Sequence, residues 1–130
     1  MADLVIFACV HNAGRSQMAA AFFNQLADPA KAKAVSGGTR PLRAVHLEAA
    51  VVMREVGIDI SLIQPQKLTQ TGAALLVTMG CGDECPALGA AERADWPLED
   101  PKGKPIEQVR SIRDEIRGRV EALIAQRKWK

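Results

Sequence analysis

The sequence predicts an α/β domain, with a four-stranded parallel sheet and helices on both faces, formed as one unit by residues 1–130. Three observations lead there. Short apolar runs at residues 4–9 and 73–79 end in polar, glycine-containing segments, as strands buried on both faces do. Stretches with helical apolar spacing lie between and after them. A chain of 130 residues with 48% hydrophobic content suits one core.

Taken in order, residues 4–9 form the first strand, and residues 16–27 the first helix, with Met18, Ala19, Phe22 and Leu26 on one face. Asp28-Pro29 ends that helix, because proline cannot continue it. Residues 33–36 make a second strand, stopped by Gly37-Gly38. Residues 45–56 place Val45, Ala49, Val52, Met53 and Val56 on one helical face, with Gly57 after the end. Residues 73–79 form the third strand, and Trp96 and Leu98 mark a short fourth. The last helix shows the clearest stripe, through Ile106, Val109, Ile112, Ile116, Val120 and Ile124.

The composition excludes several classes of function. Seventeen basic and fifteen acidic residues give a net charge of +2, and the basic end Arg127-Lys128-Trp129-Lys130 reads as a solvated terminus, so no nucleic-acid partner is expected. Apolar runs at residues 4–10 and 73–79 fall far short of the roughly 20 residues of a membrane span. No secretory signal opens the chain, and a cytoplasmic monomer is expected. Three cysteines in a reducing compartment point to catalysis, metal binding or inert thiols before structural disulfides.

In an open parallel sheet, ligands bind beyond the carboxyl ends of the strands. Residues 9–15, 81–85 and 99–101 all follow strands, so they share one rim. The first of these, Cys9-Val10-His11-Asn12-Ala13-Gly14-Arg15, leads from strand to helix, where backbone N–H groups and the helix dipole favour a tetrahedral oxyanion. Gly14 suits a tight concave loop, and Asn12 readily takes a left-handed conformation. Arg15 offers a planar fork to two oxyanion oxygens. The same positive field favours Cys9 as a thiolate nucleophile, with Ser16 placed to hydrogen-bond its sulfur. The plain alternative is a buried strand-end cysteine beside a surface arginine.

The segment 9–15 followed by Ser16-Gln17-Met18-Ala19 resembles the phosphate loop of the low-molecular-weight protein tyrosine phosphatase superfamily, and closely that of its thioredoxin-coupled arsenate reductase branch. The resemblance extends through Val35-Ser36-Gly37-Gly38-Thr39, Gly57-Ile58-Asp59-Ile60-Ser61, Val77-Thr78-Met79-Gly80-Cys81, Asp100-Pro101 and Val109-Arg110-Ser111-Ile112. It implies a flavodoxin-like three-layer domain with strand order 2-1-3-4, and residues 10–15 as the oxyanion loop. It also implies a reaction cycle. Cys9 attacks arsenate, Asp100 protonates the leaving oxygen, Cys81 attacks the Cys9 sulfur, and Cys85 moves the disulfide to a Cys81–Cys85 pair. No bound cofactor is implied; reducing equivalents come from thioredoxin or from glutathione and glutaredoxin.

Some features depart from that pattern. Three residues separate Cys81 from Cys85, fewer than in the thioredoxin-coupled branch, which leaves the donor open. Ala19-Ala20-Ala21 stands where that branch carries an acidic ligand, so no potassium site or other metal site is expected. The chain has no tyrosine to wall a phosphotyrosine pocket. Taken without the resemblance, Asp100-Pro101 is an ordinary turn pair, His11 faces solvent, and His46 is structural or exposed. Two rivals remain: a tyrosine or small-molecule phosphatase, and a sensor whose thiols capture arsenite or a metal.

Overall fold

The apolar run near the N-terminus becomes the central strand because both of its faces are covered: in β1 (Asp3–Cys9), Val5, Ile6, Phe7 and Ala8 are fully buried. β1 pairs in parallel with β2 (Ala32–Gly38) on one side and β3 (Leu75–Thr78) on the other, and β4 (Glu92–Asp95) pairs with the outer edge of β3. The order β2-β1-β3-β4 is the expected one. The computed structural model describes residues 2–80, 85–86 and 88–130.

Side chains of β1 alternate between two apolar clusters, as the period of a strand requires. Val5, Phe7 and Cys9 enter one cluster together with α1 (Arg15–Leu26), α2 (Leu47–Glu55) and α3 (Ile106–Arg127). Ile6 and Ala8 enter the other, with Ala73, Leu76 and Cys85 and with Leu68 and Ala90 at its edge. The α/β class and the sheet order are those expected. Among the described residues all three helices serve one face, and loop residues close the opposite one. The cause lies in α2, whose buried Ala49, Val52 and Met53 are spent on the cluster it shares with α1 and α3.

Two helices are locked together by charge. Arg113 Nη1 donates to the Val52 carbonyl at 2.9 Å and to Glu55 Oε1 at 2.9 Å, while Arg110 grips the same carboxylate through Nε and Nη2. The hydrogen bond from Arg110 is the main reason that Glu55 titrates below the usual carboxylate range.

The fourth strand and the C-terminal tail correct the sequence reading. Trp96 and Leu98 lie just past β4, whose own residues are mostly exposed. Edge pairing needs only backbone groups, so β4 shows no apolar alternation; Trp96 is its anchor, donating its backbone N–H to the Thr78 carbonyl and setting its ring 5.6 Å from that of Phe7. The tail is not a solvated terminus. Lys128 takes a left-handed conformation at the end of α3 and turns the chain back, so that Trp129 is 6% exposed, packs edge-on against Phe23 and donates Nε1–H to Asp3.

This geometry predicts the effect of truncation. A solvated residue could be replaced freely, whereas Trp129→Ala should cost about 3–5 kcal/mol in urea denaturation, as large aromatic deletions in cores do. A loss under about 0.5 kcal/mol, typical of surface substitutions, would contradict the docked tail.

Candidate oxyanion and thiol site

The strand-to-helix loop after Cys9 has every carbonyl turned outward. Val10, His11 and Ala13 accept from the backbone N–H groups of Arg40, Leu42 and His46 at 2.8, 3.1 and 2.8 Å. Asn12 accepts from Gln17 Nε2, and Gly14 from the Met18 N–H of α1. Among the described residues the N–H groups of His11, Asn12, Ala13 and Gly14 have no such partners, and a peptide whose carbonyl points out turns its N–H the other way. At the start of α1, Gly14 supplies no side-chain cap and the first turn has no acidic residue, which leaves the positive helix end uncompensated.

Asn12 fixes this shape. It is fully buried with φ at 49°, the left-handed conformation expected from its type. Its Oδ1 accepts from Gln17 Nε2 at 3.0 Å and from the Gln66 backbone N–H at 2.9 Å, which leaves Nδ2 to donate to Ser16 Oγ at 2.8 Å. Ser16 Oγ lies 2.9 Å from Cys9 Sγ. Since Ser16 already accepts from Asn12, its single proton is available to the sulfur, the direction a thiolate needs.

Arg15 and Asp100 meet at the edge. Arg15 Nη1 donates to the Leu98 carbonyl at 3.1 Å, and Nη2 stands 3.8 Å from Asp100 Oδ2. Cys9, His11, Ala13, Gly14, Arg15, His46 and Asp100 line one small cavity. Gly14 does not use a positive φ; it matters because a Cβ there would lie 3.0 Å from Pro101 Cγ. Gly80 needs both properties. Its φ is +89°, and a Cβ would overlap Nη1 of Arg15.

The structure thus brings Cys9, residues 10–15, Ser16 and Asp100 together. Cys9 is a free thiol and 2% exposed. Cys85 is disulfide-bonded and 1% exposed, packed beneath the loop-covered face of the sheet. Cys81 lies outside the described residues. Sequence reasoning missed Gln66 and Gly80 as supports of the site, and it left His46 without a role there. Only Gly80 carried a signal, since it falls inside a stretch that matched the resemblance; the others act through pairings distant in sequence.

His46 precedes α2 and is half-buried in the cavity wall. Burial pushes its imidazole below the ordinary value of 6.5, against the opposing pull of Asp100 and Glu48. The folded state then binds fewer protons than the unfolded state, so this contribution to stability is full above about pH 6.5 and is lost as pH falls from there through the lowered value of the folded state. Urea denaturation at pH 8 and pH 5.5 should show a larger drop for the intact chain than for His46→Gln; equal drops would contradict it. Gly80→Ala should displace Arg15 and weaken binding of inorganic phosphate by about tenfold or more, measured by calorimetry. Unchanged affinity would place Arg15 outside the anion site.

Comparison with known proteins gives a consistent result. Residues 4–130 match the family model described as low molecular weight phosphotyrosine protein phosphatase. A protein named glutaredoxin arsenate reductase from Synechocystis is 37% identical over 128 residues, covering 94% of this chain and 96% of that one. A solved structure titled "An arsenate reductase in the phosphate binding state" superposes with a TM-score of 0.84 at 35% identity, covering 95% of this chain and 98% of the other. The thioredoxin-dependent arsenate reductase of Corynebacterium glutamicum gives a TM-score of 0.77 at 34% identity, covering 96% of this chain and 61% of that chain. With the cysteine loop, the parallel sheet and these likenesses in agreement, the chain belongs to the low molecular weight phosphotyrosine protein phosphatase family.

Proposed function

We propose that this chain reduces arsenate to arsenite, using Cys9 as nucleophile and Cys81 and Cys85 as the thiols that carry the electrons away. The observation that carries the reading is the pairing of a free Cys9, hydrogen-bonded to Ser16 at the foot of an outward-carbonyl loop, with a separate disulfide-bonded Cys85 in the same chain. A phosphatase needs the first feature and has no use for the second. The relatives named arsenate reductase support the same reading.

The cycle balances as follows. Arsenate enters the loop, its oxygens facing the N–H groups of residues 10–15 and the Arg15 guanidinium. The Cys9 thiolate attacks arsenic, an arsenic–oxygen bond breaks, and Asp100 gives a proton to the departing oxygen. The Cys81 thiolate then attacks the Cys9 sulfur. A sulfur–sulfur bond forms, the electron pair of the arsenic–sulfur bond stays on arsenic, and arsenic(III) leaves as arsenite. Cys85 attacks Cys81, which frees Cys9 and leaves a Cys81–Cys85 disulfide.

A dithiol donor of the thioredoxin or glutaredoxin class reduces that disulfide, consistent with the names of two relatives. Attack requires an accessible sulfur. Since Cys85 is buried among Ile6, Ala8, Ala73 and Leu76, the donor reaches it only when it leaves those neighbours, or attacks the other sulfur of the pair. No described helix is long and apolar enough to cross a membrane.

The test is arsenate-dependent NADPH oxidation with thioredoxin and its reductase, repeated with glutathione, glutaredoxin and glutathione reductase. Cys9→Ser, Cys81→Ser and Cys85→Ser should each abolish multiple turnover, and Asp100→Asn should slow it by about a hundredfold. Steady hydrolysis of an aryl phosphate without any arsenate turnover would instead establish a phosphatase. Stoichiometric arsenite binding without either activity would establish a sensor.

A further inference from the structure

The acid-bearing turn needs an anchor that burial does not give it. The Asp100 side chain is 43% exposed. Its Oδ1 accepts the Lys102 N–H at 3.0 Å, which directs Oδ2 toward Arg15, and the Lys104 N–H closes the turn on the Pro101 carbonyl at 3.2 Å. These bonds shape the turn internally. They do not fix its distance from Cys9.

Arg15 ties the near end of the turn to the loop, through the Leu98 carbonyl and its 3.8 Å pair with Asp100, and α2 holds the far end. The backbone N–H of His46 donates to the Ala13 carbonyl at 2.8 Å, so the start of α2 is fastened to the oxyanion loop. Two residues on, Glu48 Oε2 accepts the Gly103 N–H at 3.0 Å. We propose that Glu48 is a positioning residue, whose carboxylate holds the turn that carries Asp100 at a fixed place over the Cys9 loop. Glu48 is not among the residues that line the cavity and acts on the reaction by holding Asp100 in place; its charge also favours the protonated form of His46.

Two further facts fit this role. The carboxylate is held below its ordinary range, first by its own backbone N–H and next by that of Gly103, so it is a charged and strong acceptor at neutral pH. Of the other ties on this segment, the Lys104–Glu99 pair joins residues of the segment itself, and Arg15 reaches only its near end, at Leu98 and Asp100, so among the described residues Glu48 is the hydrogen-bonding tie at Gly103. With Arg15 at Leu98 and Pro101 against Gly14 holding only the near side, loss of the Glu48 bond lets the far end of the turn pivot. A shift on the order of 1 Å between proton donor and leaving oxygen is enough to slow a reaction markedly.

The proposal rests on Asp100 being the proton donor of the proposed reaction, and the test separates the two. In the full chain, Glu48→Ala should lower kcat for arsenate about tenfold with KM within about twofold. Glu48→Gln, which keeps an acceptor for Gly103, should stay within about threefold of the parent chain. In an Asp100→Asn background, Glu48→Ala should add nothing, because there is no longer a proton donor to misplace. An unchanged kcat in Glu48→Ala, or the same tenfold loss with Asp100→Asn present, overturns it. If arsenate is not turned over but nitrophenyl phosphate is hydrolysed, the reductase reading fails, and the same comparison is made on hydrolysis. Amide hydrogen exchange at Gly103 gives a readout without activity: it should quicken in Glu48→Ala, and an unchanged rate overturns the proposal.

Discussion

Everything at the site depends on where five carbonyls point. An anion can be held by backbone N–H groups only if the carbonyl oxygens of the same peptides are turned away, and a buried carbonyl turned away must find a donor there. Here the donors come from the chain that crosses from β2 toward α2, with Arg40, Leu42 and His46 bonding Val10, His11 and Ala13. The loop is therefore not a local motif that folds by itself. It is one side of a two-layer backbone structure, and the outer layer is what brings His46 and Glu48 within reach of the chemistry.

Asn12 joins the layers. One amide group accepts from the first helix and from the loop at Gln66, and donates to the serine that faces the nucleophile. The arrangement makes the protonation geometry at Cys9 depend on residue 66, far away in sequence. Electrostatics act in the same direction: an uncapped helix start without acidic residues and a guanidinium with one hydrogen bond among the described residues both leave positive potential for a ligand. Asp100 is the one carboxylate among the described residues that line this cavity, 3.8 Å from Arg15, close enough to share the field and far enough to leave the arginine's fork open.

The parts of this design that were legible in the sequence are those set by residues adjacent in the chain. β1 and α3 declare themselves because their apolar periodicity is that of the surface they bury. The oxyanion loop does so because strand, asparagine, glycine, arginine and helix follow one another directly. β4 was misplaced because an edge strand of Glu92, Arg93, Ala94 and Asp95 is specified by backbone pairing, and the apolar signal sits on the anchor that follows it. Trp129 was hidden among basic residues, where composition argues for solvent, and only the left-handed Lys128 turns it inward. The roles of Gln66, His46 and Glu48 arise from single hydrogen bonds across long sequence separations, and no local pattern encodes those.

The uneven covering of the sheet matters for the proposed cycle. Holding an oxyanion and aiming a proton demand a rigid frame, whereas passing a disulfide among three thiols demands that at least one of them change neighbours. The first task lies on the side where Cys9 joins the large cluster shared by all three helices. Cys85 lies on the other side, in a small cluster closed by loop residues such as Leu68, Ala73 and Ala90. Detaching a segment packed by few apolar side chains costs less than detaching a helix from a core, since local opening follows the surface it exposes. Alternation along β1 sends residue 9 to the first face and residue 8 to the second, so a single strand separates the part that must stay still from the part that must move.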